Sequence, residues 1–198
     1  TSFRSTYVLN AMIVKAYDNG CRDLVLNFND FVNPLPHILD NIKFPEKFSI
    51  VVYGKTGLVC ARQSKNLNIT FEDSAGHFSC TRIKDSKVIF NMTPESDCGV
   101  LASNSELIFN DNSGNNACRS AWDSKIVFNG LVENNSLDNI DKCDVYINAD
   151  VEDWCAYDAK RSRFYTKNTD VLAKIAKSAK PTCRYYLIDK DGKSKEVN

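Results

Sequence analysis

With 198 residues, the chain suits one domain or two small ones, and its 25 Lys and Arg cancel its 25 Asp and Glu. That balance removes both the basic field of a nucleic-acid binder and the acidic excess of a DNA mimic. Apolar residues make up 43% of the chain without any run near the roughly 18 that span a bilayer. The N-terminus lacks the basic flank and apolar core of a signal peptide, so the expectation is a soluble protein with neither nucleic acid nor membrane as partner.

In chain order, Tyr7 to Asp18 places apolar residues on one helical face, with Gly20 as a stop, and predicts an N-terminal cap helix. "CRDLVLNFNDF" then reads as a first strand. The Pro-containing excursion "NPLPHILDNIKFPEKF" interrupts any register. From Phe48 to Thr166 a repeat takes over. Beyond it, Thr169 to Lys180 predicts a second helix with Thr169 as N-cap, Val171, Leu172, Ile175 and Ala176 on its apolar side and Pro181 as its stop. Its basic face reads as solvated. The tail predicts a hairpin turning at Asp191 and Gly192. The resulting division is an N-terminal cap and first strand (1–47), a repeat domain (48–166) and a C-terminal helix-and-hairpin cap (167–198).

The repeat shows as "DSKVIFN", "NSELIFN" and "DSKIVFN", beginning at Asp85, Asn104 and Asp123. Stepping 19 residues from Phe71 gives Phe71, Phe90, Phe109, Phe128 and Ile147, all apolar. Two residues earlier the column is Ile69, Val88, Leu107, Ile126 and Val145. A third column runs Ile83, Ala102, Ala121, Ile140 and Ala159, and a small one Ser86, Ser105, Ser124, Cys143 and Ser162. A fixed period of this length marks a solenoid, whose repeats bury their apolar faces only by stacking. Alternation inside the repeat is that of strands, and the coil is too short for a helix as well. The prediction is therefore an all-β, single-stranded parallel β-helix of about six 19-residue coils with short helical caps, each coil carrying two or three short strands. Lys87, Glu106, Lys125, Asp144 and Arg163 alternate in sign along an outward column, as stacking at about 4.8 Å favours. One position after the Phe column stand Glu72, Asn91, Asn110, Asn129 and Asn148, amides able to hydrogen-bond from coil to coil at a sharp turn.

That column resembles the asparagine ladder of right-handed parallel β-helices, the architecture of pectate lyases, polygalacturonases and phage tailspikes. The resemblance covers about Phe48 to Thr166 and is one of architecture. With the usual handedness of parallel crossovers, it implies a right-handed coil. The enzymes of that class would imply calcium-binding aspartates with a basic residue, or clustered aspartates on one face, and neither set maps onto this sequence.

Eight cysteines stand at 21, 60, 80, 98, 118, 143, 155 and 183. Strict register keeps same-column members two coils apart, about 9.6 Å, too far for a disulfide. If loops absorb one residue, Cys60, Cys80, Cys98 and Cys118 become one inward ladder, still too widely spaced. Buried free thiols are expected, and with them a cytoplasmic or other reducing compartment. Cysteine spacings and the two histidines, His37 and His77, suggest no metal centre. No glycine loop supports nucleotide binding, and no cofactor is expected. The variable loop after the Asn turn places Glu133 and Glu152 one step apart, near Asp138 and Asp153, and paired carboxylates are the tools of glycoside hydrolysis. Trp154, Tyr157 and Asp153 are the candidate ligand-binding residues, and Glu133 and Glu152 the weak catalytic candidates; a bland alternative has Trp154 plugging the last coil. The functional expectation is a non-catalytic interaction or structural module binding a protein partner through its coil side or loops. The alternatives are a carbohydrate-binding or polysaccharide-cleaving β-helix and a segment of a phage or surface fibre.

Overall fold

A computed structural model describes the backbone of residues 2–197 and the side chains of residues 4–197. Helix α1 (Ser2–Asp18) ends at Gly20, whose left-handed φ of +93° lets its amide bond Tyr17 O at 2.9 Å while Cys21 N bonds Ala16 O at 3.0 Å. Then come β1 (Asp23–Asn27), β2 (Lys43–Tyr53), β3 (Lys65–Phe71), β4 (Lys87–Phe90), β5 (Glu106–Phe109) and β6 (Lys125–Phe128). β7 (Asp144–Ile147) and β8 (Arg163–Thr166) precede helix α2 (Thr169–Ser178), and the chain closes with β9 (Arg184–Ile188) and β10 (Ser194–Val197). All ten strands form one sheet in sequence order. Strands β1 to β9 are parallel, and β10 returns antiparallel on β9 as the predicted hairpin. The molecule is thus a parallel β-solenoid of about eight turns.

The arithmetic gives about six coils because it sees only coils of the standard length. Asp23 pairs with Ser49, and Arg163 with Arg184, so the first and last coils are longer than 19 residues. The proline excursion and a register shift between Lys43 and Phe48 absorb the difference at the first end. Between them the stacking is in strict register, Phe71 on Phe90, Phe90 on Phe109 and Phe109 on Phe128.

These phenylalanines are fully buried and stack with centroids 5.3, 4.9 and 4.9 Å apart. Each such ring contributes about 1.5–3 kcal/mol by leaving water. Serines fill the corner before β4, β5, β6 and β8 for a polar reason. Ser105 Oγ accepts from Ser86 N at 3.2 Å and donates to Ser103 O at 2.7 Å, and Ser124 Oγ serves Ser105 N likewise. Each of these small hydroxyls therefore satisfies two buried backbone groups.

Each coil carries one regular strand, with single-residue parallel bridges such as Ser103 to Trp122 as a second contact. The two or three strands expected per coil give way to an arc in which every second residue is left-handed: Phe78 at φ +60°, Cys80 at +57° and Arg82 at +58°. Their amides point alternately to the next coil and the previous one: Phe78 N to Ser96 O, Cys80 N to Cys60 O and Arg82 N to Val100 O, at 3.1, 2.7 and 2.7 Å. Left-handed backbone costs about 1–2 kcal/mol per residue, and these bonds to both neighbours offset it.

Strict register also holds in the arc, so Cys60 and Cys98 keep one column and Cys80 and Cys118 the next. No residue is absorbed to merge them. All eight cysteines are free, seven of them buried. Burial and neighbouring thiols push the Cys80 and Cys118 thiols well above the usual range, so they remain protonated packing groups.

Both helices cap the solenoid. Ile13 and Tyr17 of α1 are buried, with Tyr17 against Phe44 and Phe48 at 4.7 and 5.5 Å. Asn10 ties the helix to the first coil, accepting from Leu39 N at 2.8 Å and donating to His37 O at 3.0 Å. At the other end Val171, Leu172 and Ile175 of α2 close the core. Its N-cap is Asn168, whose side chain accepts from Asp170 N at 2.9 Å, one residue before the expected Thr169. Among the described residues no helix is long and apolar enough to cross a membrane.

Candidate functional site

Glu133 and Glu152 follow the bridged pair Val132 and Val151 on adjacent coils. Burial, reinforced by the charge of Glu152, pushes the Glu133 carboxyl above its usual range. The coils thus bring the two together, and a raised acid beside a second carboxylate is a pattern that acid–base chemistry uses. Glu152 also serves the backbone, its Oε2 accepting from Asn134 N at 3.0 Å. Glu95, two coils before Glu133 in the same 19-step column, accepts from His77 N at 3.0 Å. Asp73 and Asp111 do the same for Gly54 and Thr93 at 2.8 and 3.2 Å. Glu152, Glu95, Asp73 and Asp111 therefore share one structural task, satisfying an amide of the coil below.

Trp154 does not plug the last coil. Its column (Phe78, Asp97, Asn116, Asn135, Trp154) is left-handed throughout and faces outward, which leaves the indole 70% exposed while α2 closes the core. Trp154, Glu152 and Asp153 line a groove of about 220 Å³ against Lys174 and Ile175. Lys174 spans it, bonding Asp150 Oδ1 at 3.0 Å and Val151 O at 2.8 Å. Tyr157, 53% exposed, lies outside this groove, its amide donating to Asp138 Oδ1 at 2.9 Å. Burial raises the Asp138 carboxyl as well.

A second surface joins the two outward ladders expected from the sequence to a further column between them. The outward face of the parallel sheet carries three columns. The first is the charge ladder, with Glu106 between Lys87 and Lys125 at 3.0 and 2.9 Å and Arg163 holding Asp144 with two bonds of 2.5 and 2.6 Å. The third is the amide ladder, in which Asn148, Asn129 and Asn110 each donate to the asparagine below and Asn91 donates to Glu72, at 2.7–2.8 Å. Between them runs Thr70, Ile89, Ile108, Val127, Tyr146, Tyr165 and Tyr186, in register and half-buried. The tyrosine rings stack at 4.6 and 4.7 Å, and Lys125 Nζ lies 5.6 Å from the Tyr146 ring centre. A 19-step from Thr70 traces this column as far as Tyr165; Tyr186 lies 21 residues further on, across the longer last coil. An outward apolar column breaks the inside-apolar, outside-polar rule.

Comparison with protein-family models, with curated proteins and with solved structures gave no match. The class is therefore defined by the fold alone: a parallel β-solenoid with an amide ladder, capped by a helix at each end.

Proposed function

We propose that the protein is a non-catalytic interaction module that binds a protein partner through the outward face of its sheet. The observation that carries this is the continuous apolar column from Thr70 to Tyr186, water-accessible along a flat face and ending in stacked tyrosines beside Arg163 and Arg184. Tyrosine and arginine on a rigid scaffold are the residue types that dominate protein interfaces. The faces of the tyrosine rings are occupied by one another, so their edges and hydroxyls are what the surface offers. A sugar or base that stacks on a ring face gains little there. The shared structural task of the loop carboxylates supports the non-catalytic part.

A photo-reactive side chain at Ile108 or Tyr165, compared with one at Phe78 or Trp154, tests this in cells that make the protein. A discrete protein adduct from the sheet positions alone is expected. No adduct from them, or one from Trp154 alone, would count against the reading.

The carbohydrate reading keeps one specific support, the Glu133 and Glu152 pair beside exposed Trp154 and Asp153, with Tyr157 nearby. A melting-temperature rise with one class of oligosaccharide, abolished by Trp154→Ala, would favour it. Turnover lost in Glu133→Gln or Glu152→Gln would make it catalytic.

A further inference from the structure

The charge ladder alternates from Lys87 through Glu106, Lys125 and Asp144 to Arg163, and then breaks: the residue in register with Arg163 is Arg184. Like charges directly opposite at about 4.8 Å are unfavourable, and everywhere else on this ladder the sequence avoids them. The break lies in a groove of about 510 Å³ whose walls also carry Lys142 and Arg161. Two of the four cations are matched, Arg161 by Asp141 and Arg163 by Asp144. Among the described residues Lys142 and Arg184 have no ion-pair partner, and both are exposed. Asp123 also lines the groove. Arg163 spends Nε and Nη2 on Asp144, which leaves the Nη1 donors of its planar fork free of that carboxylate, and the residue itself lines the groove.

We propose that this groove receives a carboxylate side chain of the protein partner, seated between Arg163 and Arg184 and steered by Lys142. The inference rests on the interaction-module reading and gives its surface a chemical preference. The protein holds its own precedent for the geometry: the Glu106 carboxylate bridges the cations one coil below and one coil above it, at 3.0 and 2.9 Å. Asp123, Asp141 and Asp144 offset most of the cationic charge around the groove. The remainder suits one carboxylate better than a phosphate dianion or a polyanion. The position agrees too, since the Arg163 and Arg184 column lies beside Tyr165 and Tyr186 on the proposed face.

The test is nuclear magnetic resonance on the full chain, following the arginine Nε–H signals at low salt. Three probes are titrated separately: a capped Gly-Glu-Gly-Glu-Gly peptide, its Gln counterpart and inorganic phosphate. The Glu peptide is expected to shift the Arg163 and Arg184 signals saturably and the Gln peptide to leave them unmoved. Arg184→Gln should weaken the Glu peptide at least tenfold. Arg184→Glu should abolish its binding and raise the melting temperature by supplying the missing sign of the ladder. Phe78→Ala, on the outward arc away from the sheet, should leave peptide binding unchanged, which confines the effect to the groove. Phosphate acting at lower concentration than the Glu peptide overturns the carboxylate assignment. No shift with either anion, or equal shifts with Glu and Gln peptides, overturns the site. A sheet-face adduct without a peptide response defeats this inference alone, and a peptide response without any adduct defeats the partner reading alone.

Discussion

Glu106 and Glu133 respond to acid in opposite senses, and the difference comes from what each carboxyl touches. Hydrogen bonds from Lys125 and Lys87 hold Glu106 below the usual carboxylate range. Its contribution is therefore complete above its ordinary pKa and lost as pH falls through the folded value. Burial and the Glu152 charge raise Glu133, so its contribution is complete below its ordinary pKa and lost as pH rises through the raised folded value. Glu106→Gln should accordingly cost up to about 1 kcal/mol at pH 7 and less at pH 3. Glu133→Gln should stabilise at pH 7 and not at pH 3. Urea midpoints at the two pH values check both, and a shift of both variants in the same direction at pH 7 would refute the assignment. The serine corner gives a pH-independent counterpart. Ser105→Ala strands the buried Ser86 amide and should cost about 1–3 kcal/mol by denaturant titration.

Among the elements, the strands were legible and the arcs were not. The Phe and Ser columns repeat one residue type at one spacing, and the alternating ladder follows from charges forced into contact. In the arc the left-handed positions hold Phe78, Cys80, Arg82, Leu137 and Trp154, none of which favours that conformation by itself. Asn and Asp, which tolerate that conformation, stand at other left-handed positions (Asp97, Asn116, Asn135, Asn139) and leave a partial signature; at the rest the geometry is imposed by amides bonding to the coils above and below, a long-range cause. The misplaced Trp154 plug has the same origin, because the arc does not alternate inside and outside as a strand does. Gly99 tests the arc. It lies at φ +69°, and a Cβ there would come within 2.4 Å of Leu107 Cδ2 and 3.3 Å of Cys118 Sγ. Gly99→Ala should destabilise by about 1–3 kcal/mol through overpacking, while Gly192→Ala, in an open hairpin turn, should cost less. Equal losses in the two would argue against the packed arc.

At the scale of the whole molecule, stacking in register turns single residues into continuous surfaces. The inward column from Phe71 through Phe90, Phe109 and Phe128 to Ile147 becomes a core, and the outward column of Ile, Val and Tyr becomes a stripe along one face. The candidate carboxylates and Trp154 were found from the sequence because they resemble familiar chemistry. The stripe carries no such signal, because each of its residues alone is an ordinary strand residue. The stripe and the Trp154 groove lie on different sides of the coil, so one comparison separates the two functional readings. It is the affinity of the cross-linked partner, once purified, for the wild-type protein, Tyr165→Ser and Trp154→Ala, with far-UV circular dichroism confirming that each variant is folded. A loss of at least about tenfold is expected in Tyr165→Ser, as for an aromatic contact worth about 1.4 kcal/mol or more, with unchanged affinity in Trp154→Ala. Unchanged binding by Tyr165→Ser with binding lost in Trp154→Ala would contradict it and move the site to the groove beside α2.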